Sequence, residues 1–215
     1  MLNKLLEIIK KEFPLEEIDA KEFSTFKAKG MKFKINAYHA KGLGHVSVMK
    51  ASGFFGLMKM DTLIIVPEDK DLPLYSYDRI FAMGNDTLIV ELYDTLINKN
   101  NFTVLDDVKN EYQSIPEHDL GSHWYDSIKL SQSISKRTKK NLTEKIDELT
   151  LKHFNAFLNL DVTNVLDLKK KNELSSKYVN GLLSNGGPST DVFIKMFGLE
   201  KTSYLYKNIL FGTKK

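Results

Sequence analysis

The chain has 215 residues, 42% hydrophobic and 27% charged, which is the balance of an ordinary globular protein and enough length for one domain, 1–215, with a sizeable core. It contains no cysteine, which excludes disulfides, thiolate nucleophiles, cysteine-ligated zinc and cysteine-held iron–sulfur clusters. The net charge is only +3, and of 31 basic residues Arg79 and Arg137 alone are arginines. Readout of bases and phosphates favours arginine, so the composition weighs against a nucleic-acid partner, while a lysine-rich surface suits an acidic protein partner.

The first 13 residues read as an amphipathic helix, with Leu2, Leu5, Leu6, Ile9 and Phe13 at helical spacing; Pro14 ends it. The acidic residues in this stretch and the lack of a cleavage pattern mark it as part of the mature protein. No run reaches the roughly 18 apolar residues of a membrane span, so the expected location is cytoplasmic, with no membrane partner. Six strands are expected next: Glu22 to Ala28, Met31 to Ala40, His45 to Ser52, Met58 to Val66, Tyr75 to Met83 and Thr87 to Tyr93. The connections between them are short, so neighbours run antiparallel as a meander. Beyond residue 95 the pattern turns helical, over 104–112, 138–160, 172–183, 191–196 and 201–211, with breaks at Asn185-Gly186-Gly187-Pro188 and at Gly198. Residues 117–136, rich in Ser, His and aromatics, read as loop with short helical or extended pieces. Strands followed by helices argue α+β, and because both sheet faces are apolar, a three-layer α/β/α sandwich around a central antiparallel sheet of about six strands.

Two carboxylates interrupt those apolar faces. Asp61 shares a face of its strand with Leu63 and Ile65, and Asp78 shares a face of the next strand with Ile80 and Ala82. Asp78 could be paired with Arg79 or a lysine, and Asp61 with Lys59 or Lys50 on a neighbouring strand. In a cavity beneath the C-terminal helices, desolvation would instead raise the pKa of either acid and let it hold a proton near neutrality. Other motifs are weak. Gly42-Leu43-Gly44 lacks the third glycine and following helix of a nucleotide loop. His118 and His123 lack the spacing of a zinc site. The basic runs at 136–140 and 169–171 read as solvated faces.

The segment Asp71-Leu72-Pro73-Leu74-Tyr75-Ser76-Tyr77-Asp78 resembles the DLP-hydrophobic-FG-x-D segment of the ferredoxin-dependent bilin reductases, of the phycocyanobilin:ferredoxin oxidoreductase kind. Leu88-Ile89-Val90-Glu91-Leu92 is similar to the strand that follows there. Phe197-Gly198-Leu199-Glu200, Tyr204 and Leu210-Phe211 resemble that family's C-terminal pattern, with a fainter echo in Pro116-Glu117 and Trp124.

The resemblance implies an α/β/α sandwich that reduces a biliverdin-like linear tetrapyrrole by radical chemistry. It implies no bound cofactor: reduced ferredoxin or flavodoxin is the external electron donor, and the protein supplies protons. It places the catalytic sheet aspartate on Asp78. The family's companion histidine, 17 residues earlier, falls on Asp61, a departure from the pattern. Thr87 falls on a hydroxyl that contacts a propionate, and Arg137, with neighbouring Lys136, near the arginine that pairs with one. The family's helix-side aspartate falls near Asn185-Gly186-Gly187, where this chain has no carboxylate. Two alternatives stand beside this reading: a tetrapyrrole-binding protein of the same fold that does not reduce its ligand, and a lysine-rich protein-interaction domain.

Overall fold

The computed structural model describes residues 1–139, 142–187 and 189–214; Lys140 of the first basic run and Pro188 of the expected helix break lie outside them. The core is an antiparallel sheet. Its strands are β1 (Leu15–Ile18), β2 (Thr25–Ala28), β3 (Met31–Ala40), β4 (Gly44–Gly53), β5 (Met58–Pro67), β6 (Leu74–Ala82), β7 (Asn85–Tyr93) and β8 (Ile134–Lys139). From β3 to β7 they form the expected meander, and β8 closes the far edge. On the near edge β1 and β2 share one strand: β1 pairs with residues 37–40 of β3 and β2 with residues 31–34.

The sheet thus has eight strands rather than about six. The additional ones are β1 and β8. β1 is four residues with two glutamates. β8 puts Lys136 where alternation calls for an apolar group, between buried Ile134 and Thr138. The 117–136 loop also contains a short 3-10 turn, Trp124–Ile128.

Five helices lie on the two faces: α1 (Leu2–Glu12), α2 (Thr103–Glu111), α3 (Thr143–Leu158), α4 (Leu168–Asn185) and α5 (Thr190–Tyr204), the last running into a π-helical turn, Leu205–Leu210. One core unites α1, α2 and α3 with one face of the sheet, through Leu5, Ile9, Leu105, Ile146 and Phe157 against Val46, Leu63, Tyr75, Tyr77 and Val90. A second core unites α4, α5 and the π turn with the other face, through Tyr178, Leu182, Phe193, Tyr206 and Leu210 against Phe33, Ile35, Met49, Ile64 and Tyr93. This is the α/β/α sandwich that apolarity on both faces requires.

The second helical layer is fixed at one end and interrupted at the other. His45 Nε2 donates to the carbonyl of Ile209 at 2.8 Å, and Ser47 Oγ donates to that of Leu210 at 2.7 Å, so β4 satisfies carbonyl groups that the π turn leaves open. Upstream, Gly186 (φ 84°) and Gly198 (φ 77°) take positive-φ conformations that interrupt the helical path, as expected at both places. Among the described residues no helix is long and apolar enough to cross a membrane.

Candidate active site

The hairpin β5–β6 sets the site. Its register places Thr62 opposite Asp78 and Asp61 opposite Arg79. Side chains alternate, so with Thr62 opposite Asp78 only the even-numbered residues of β5 share the face of Asp78, and residue 61 points to the opposite face. The position reached by counting back 17 residues is therefore the wrong one in this hairpin. Thr62 takes the place beside Asp78, 16 residues away in sequence, and its Oγ1 donates to Asp78 Oδ1 at 2.5 Å.

Asp61 belongs to the α1–α3 side. There it neighbours Lys50 and Arg79 across the strands. Arg79 is buried in ion pairs with Asp86 and with Asp147 of α3, and Thr143 Oγ1 also donates to Asp86. Lys136 lies on that side too. It is buried, with Nζ donating to the carbonyl of Ile115 at 2.9 Å and to Glu117 Oε1 at 2.6 Å, so it ties β8 to the preceding loop and faces away from Asp78. The expected grouping of Asp61 and Lys136 with Asp78 is corrected by the register. Thr87 and Arg137 do share the face of Asp78. They are directly paired, and Arg137 Nε donates to Thr87 Oγ1 at 3.0 Å, with Arg137 exposed and Thr87 buried.

A cross-strand row, Met49–Thr62–Asp78–Ile89–Ser135, runs across the sheet on this face. Ser76 and Glu91 form the next pair on one side of it, and Ile80 and Thr87 the next on the other. Over the row lies a cavity of about 90 Å³, lined from the sheet by Thr62, Ser76, Asp78 and Glu91 and from above by Tyr125, Tyr178, Thr190, Phe193, Tyr206 and Phe211. Pockets for small molecules usually span about 300–1,000 Å³, so a tetrapyrrole requires the aromatic roof to lift. A larger hollow, about 780 Å³, lies on the outer side of α4 and α5 among Ser176, Asn180, Glu200 and Lys207, with none of the sheet carboxylates in its lining.

Burial pushes the Asp78 carboxyl up to about 6; the Thr62 hydrogen bond pulls the other way, and the charge of Glu91 adds to the rise. Asp78 thus exchanges its proton near neutral pH. Neither Asp61 nor Asp78 forms an ion pair among the described residues, which removes the support for a surface in which lysines neutralise both.

Glu91 is the residue that sequence reasoning passed over, although it stood inside the strand quoted for the resemblance. It shares the face and cavity of Asp78. Tyr93 donates its hydroxyl proton to Glu91 Oε2 at 2.7 Å, and Lys129 lies 3.7 Å from Oε1. Tyr178 and Tyr125 in turn pack their rings against Tyr93, and burial raises the pKa of all three phenols, so they stay neutral. Tyr206 is pushed up to about 12 by burial and shares a 3.0 Å hydrogen bond with Thr190. Near Gly186, where no acid was expected, Asp191 approaches from α5, but it is exposed and does not line the cavity.

The loop read as irregular delivers part of this roof. Trp124 packs across Gly181 of α4, where a Cβ would lie 2.2 Å from the indole ring, and its Nε1 donates to the Gly186 carbonyl at 2.9 Å. That contact presents Tyr125 edge-on to Tyr93 and Tyr178.

The motif that precedes the site is structural at its first residue. Asp71 is fully buried and accepts hydrogen bonds from the backbone N–H groups of Ile97 and Asn98 and from Lys171 Nζ at 3.0 Å. Lys171 comes from the second basic run, read as solvated, yet it is buried, and it also donates to the carbonyls of Leu72 and Thr95. Burial acts to raise the Asp71 carboxyl, but these hydrogen bonds outweigh it and hold the group below its ordinary range.

No family model and no curated protein sequence matches the chain. Among solved structures, it superposes on phytochromobilin synthase from tomato, crystallised in complex with biliverdin, with a TM-score of 0.77 over 99% of this chain and 83% of that one, at 11% identity. The chain has the phytochromobilin synthase fold. At that identity the likeness is one of backbone architecture.

Proposed function

We propose that the chain, as a single domain, binds a biliverdin-like linear tetrapyrrole between the sheet and the α4–α5 layer and reduces it with single electrons from reduced ferredoxin or flavodoxin. The observation that carries this reading is Asp78: a carboxyl with a pKa of about 6 inside a cavity, in a fold whose tomato representative is seen with biliverdin. In this scheme Thr62 donates to Oδ1, so Oδ2 carries the proton that Asp78 hands to the reduced bilin. Glu91, linked towards the surface through Lys129, supplies the second acid that is missing near Gly186. The paired Thr87 and Arg137 lie two residues along the sheet from the Asp78 row and suit a propionate at its rim.

The test is a biliverdin titration followed by addition of a ferredoxin reducing system. A shift of the visible absorption band on binding, followed by loss of biliverdin and appearance of a reduced bilin, is the expected outcome. A stable complex that survives the reducing system points to the non-reducing tetrapyrrole binder, and no spectral change sinks both readings. Glu91→Gln is expected to lower single-turnover rates by about 100-fold, the lower end of the usual range for a lost acid–base group, while Asp61→Asn changes them less than about twofold because its side chain is on the other face. Equal losses in the two variants would remove the face assignment from the mechanism.

A further inference from the structure

The β4–β5 and β6–β7 connections lie side by side at one end of the sheet, since Gly53 pairs with Met58, Met58 with Ala82, and Ala82 with Asn85. Their tips carry apolar side chains into solvent: Phe55 is fully exposed, and Phe54, Leu57 and Met83 are exposed at 56, 75 and 93%. Phe54, Phe55 and Met83 also have φ of 50°, 56° and 50°. Turn chemistry selects Gly, Asn or Asp at such positions, and a bulky apolar residue there is unfavourable both for the backbone and for hydration. Neither the turn nor the core accounts for these residue types.

Close behind the tips the charge is of one sign. Lys27 pairs with Lys32, Lys32 with Ser52, and Ser52 with Lys59, which makes a cross-strand row, and Lys29 stands at the neighbouring turn. Like charges directly opposite are destabilising, and among the described residues none of these four lysines has an ion-pair partner. The nearest carboxylate on β7, Asp86, is buried and held by Arg79.

We propose that this end of the sheet docks on an anionic membrane surface, with the two hairpin tips entering the interfacial layer and the lysine row lying against acidic headgroups. Separate apolar points projecting from hairpins suit insertion between lipids, whereas protein interfaces have closely packed cores enriched in arginine and depleted in lysine. Lysines next to an anionic leaflet gain from its surface potential without needing fixed geometry. The proposal goes beyond the bilin reading and does not depend on it. It replaces the expectation that the chain has no membrane partner with peripheral, non-spanning contact.

The test is flotation of the full chain with phosphatidylcholine vesicles, with and without phosphatidylserine. Binding is expected only to the anionic vesicles and is expected to weaken with salt. Phe55→Asn with Met83→Asn installs residues that the left-handed positions prefer, so the fold is retained, as circular dichroism checks. Partitioning is expected to drop about tenfold or more. Lys32→Glu with Lys59→Glu is expected to abolish the preference for phosphatidylserine. Absence of wild-type flotation, or unchanged flotation of the folded tip variant, overturns the proposal. So does a tip variant that loses affinity for an acidic ferredoxin while the wild type ignores vesicles, because the surface then belongs to a protein partner.

Discussion

Asp78→Asn is expected to bind biliverdin with a visible spectrum close to that of the wild type and to reduce it at least about 100-fold more slowly, the usual range for loss of a positioned acid. Asparagine keeps the shape and the contact with Thr62 but carries no transferable proton. In the wild type, single-turnover reduction should fall as pH rises past about 6, as the protonated fraction of Asp78 declines. Stability provides a second readout. Because the folded pKa lies above the unfolded value of about 4, the native state holds this proton more tightly. Stability therefore falls as pH rises between these two values, and the full cost is present above pH 6. Removing the carboxylate is thus expected to stabilise the protein above pH 6 by up to about 3 kcal/mol and to leave it little changed below about pH 4. Denaturant melts of both proteins at pH 5 and pH 8 check the sign, and a destabilised Asp78→Asn at pH 8 would contradict the buried-acid assignment.

Lys171→Met is expected to be the more damaging change to the fold. It leaves Asp71 charged, fully buried and without its cation, and it leaves the carbonyls of Leu72 and Thr95 without their donor. Removing one partner of a buried ion pair costs about 3–5 kcal/mol, which lowers the melting temperature on the order of 10 °C in a chain of this size. The wild-type contribution is present above the ordinary carboxylate range and is lost as pH falls through the depressed Asp71 value. The double variant Asp71→Asn, Lys171→Met should cost less than the sum of the single changes, since neither residue then leaves a charge stranded. Strict additivity in thermal melts would show that the pair is not coupled. Because this lysine joins α4 to the start of the β6 strand, its loss should also loosen the roof of the cavity.

The layers were legible because alternation along β3–β7 and the 3.6-residue spacing of the helices are local signals. The central pairing of the site was not, although every residue in it had been read. Alternation assigned faces within each strand, with Thr62 and Asp61 opposed, but it could not match faces across the Pro67–Pro73 connection, whose length leaves register open. A single step in register decides whether Asp78 meets a hydroxyl or a second acid. Lys136 and Lys171 misled for another reason. A lysine normally marks solvent, and only distant groups, Glu117 and Ile115 for one and Asp71 and Thr95 for the other, make their burial tolerable. The tyrosine roof was invisible for the same cause: Tyr125, Tyr178 and Tyr206 come from three separate elements and have no common local pattern. Glu91 did carry a signal, as a charged residue in an apolar strand, the same kind that singled out Asp78.

The fastening of the π turn to β4 has a consequence for how a guest gets in. With the carbonyl of Ile209 held by His45 and that of Leu210 by Ser47, the end of the helical layer nearest the C-terminus stays on the sheet. The stretch carrying Thr190 and Phe193 is instead bounded by Gly186 and Gly198, whose positive φ angles suit glycine. If the cavity is to admit a guest, the roof would therefore lift from the glycine-bounded side, with the π turn as its fixed rear edge. On the proposed bilin reading, a long, flexible ligand would enter with one end foremost, past Phe193, and that end would come to rest against the fastened turn.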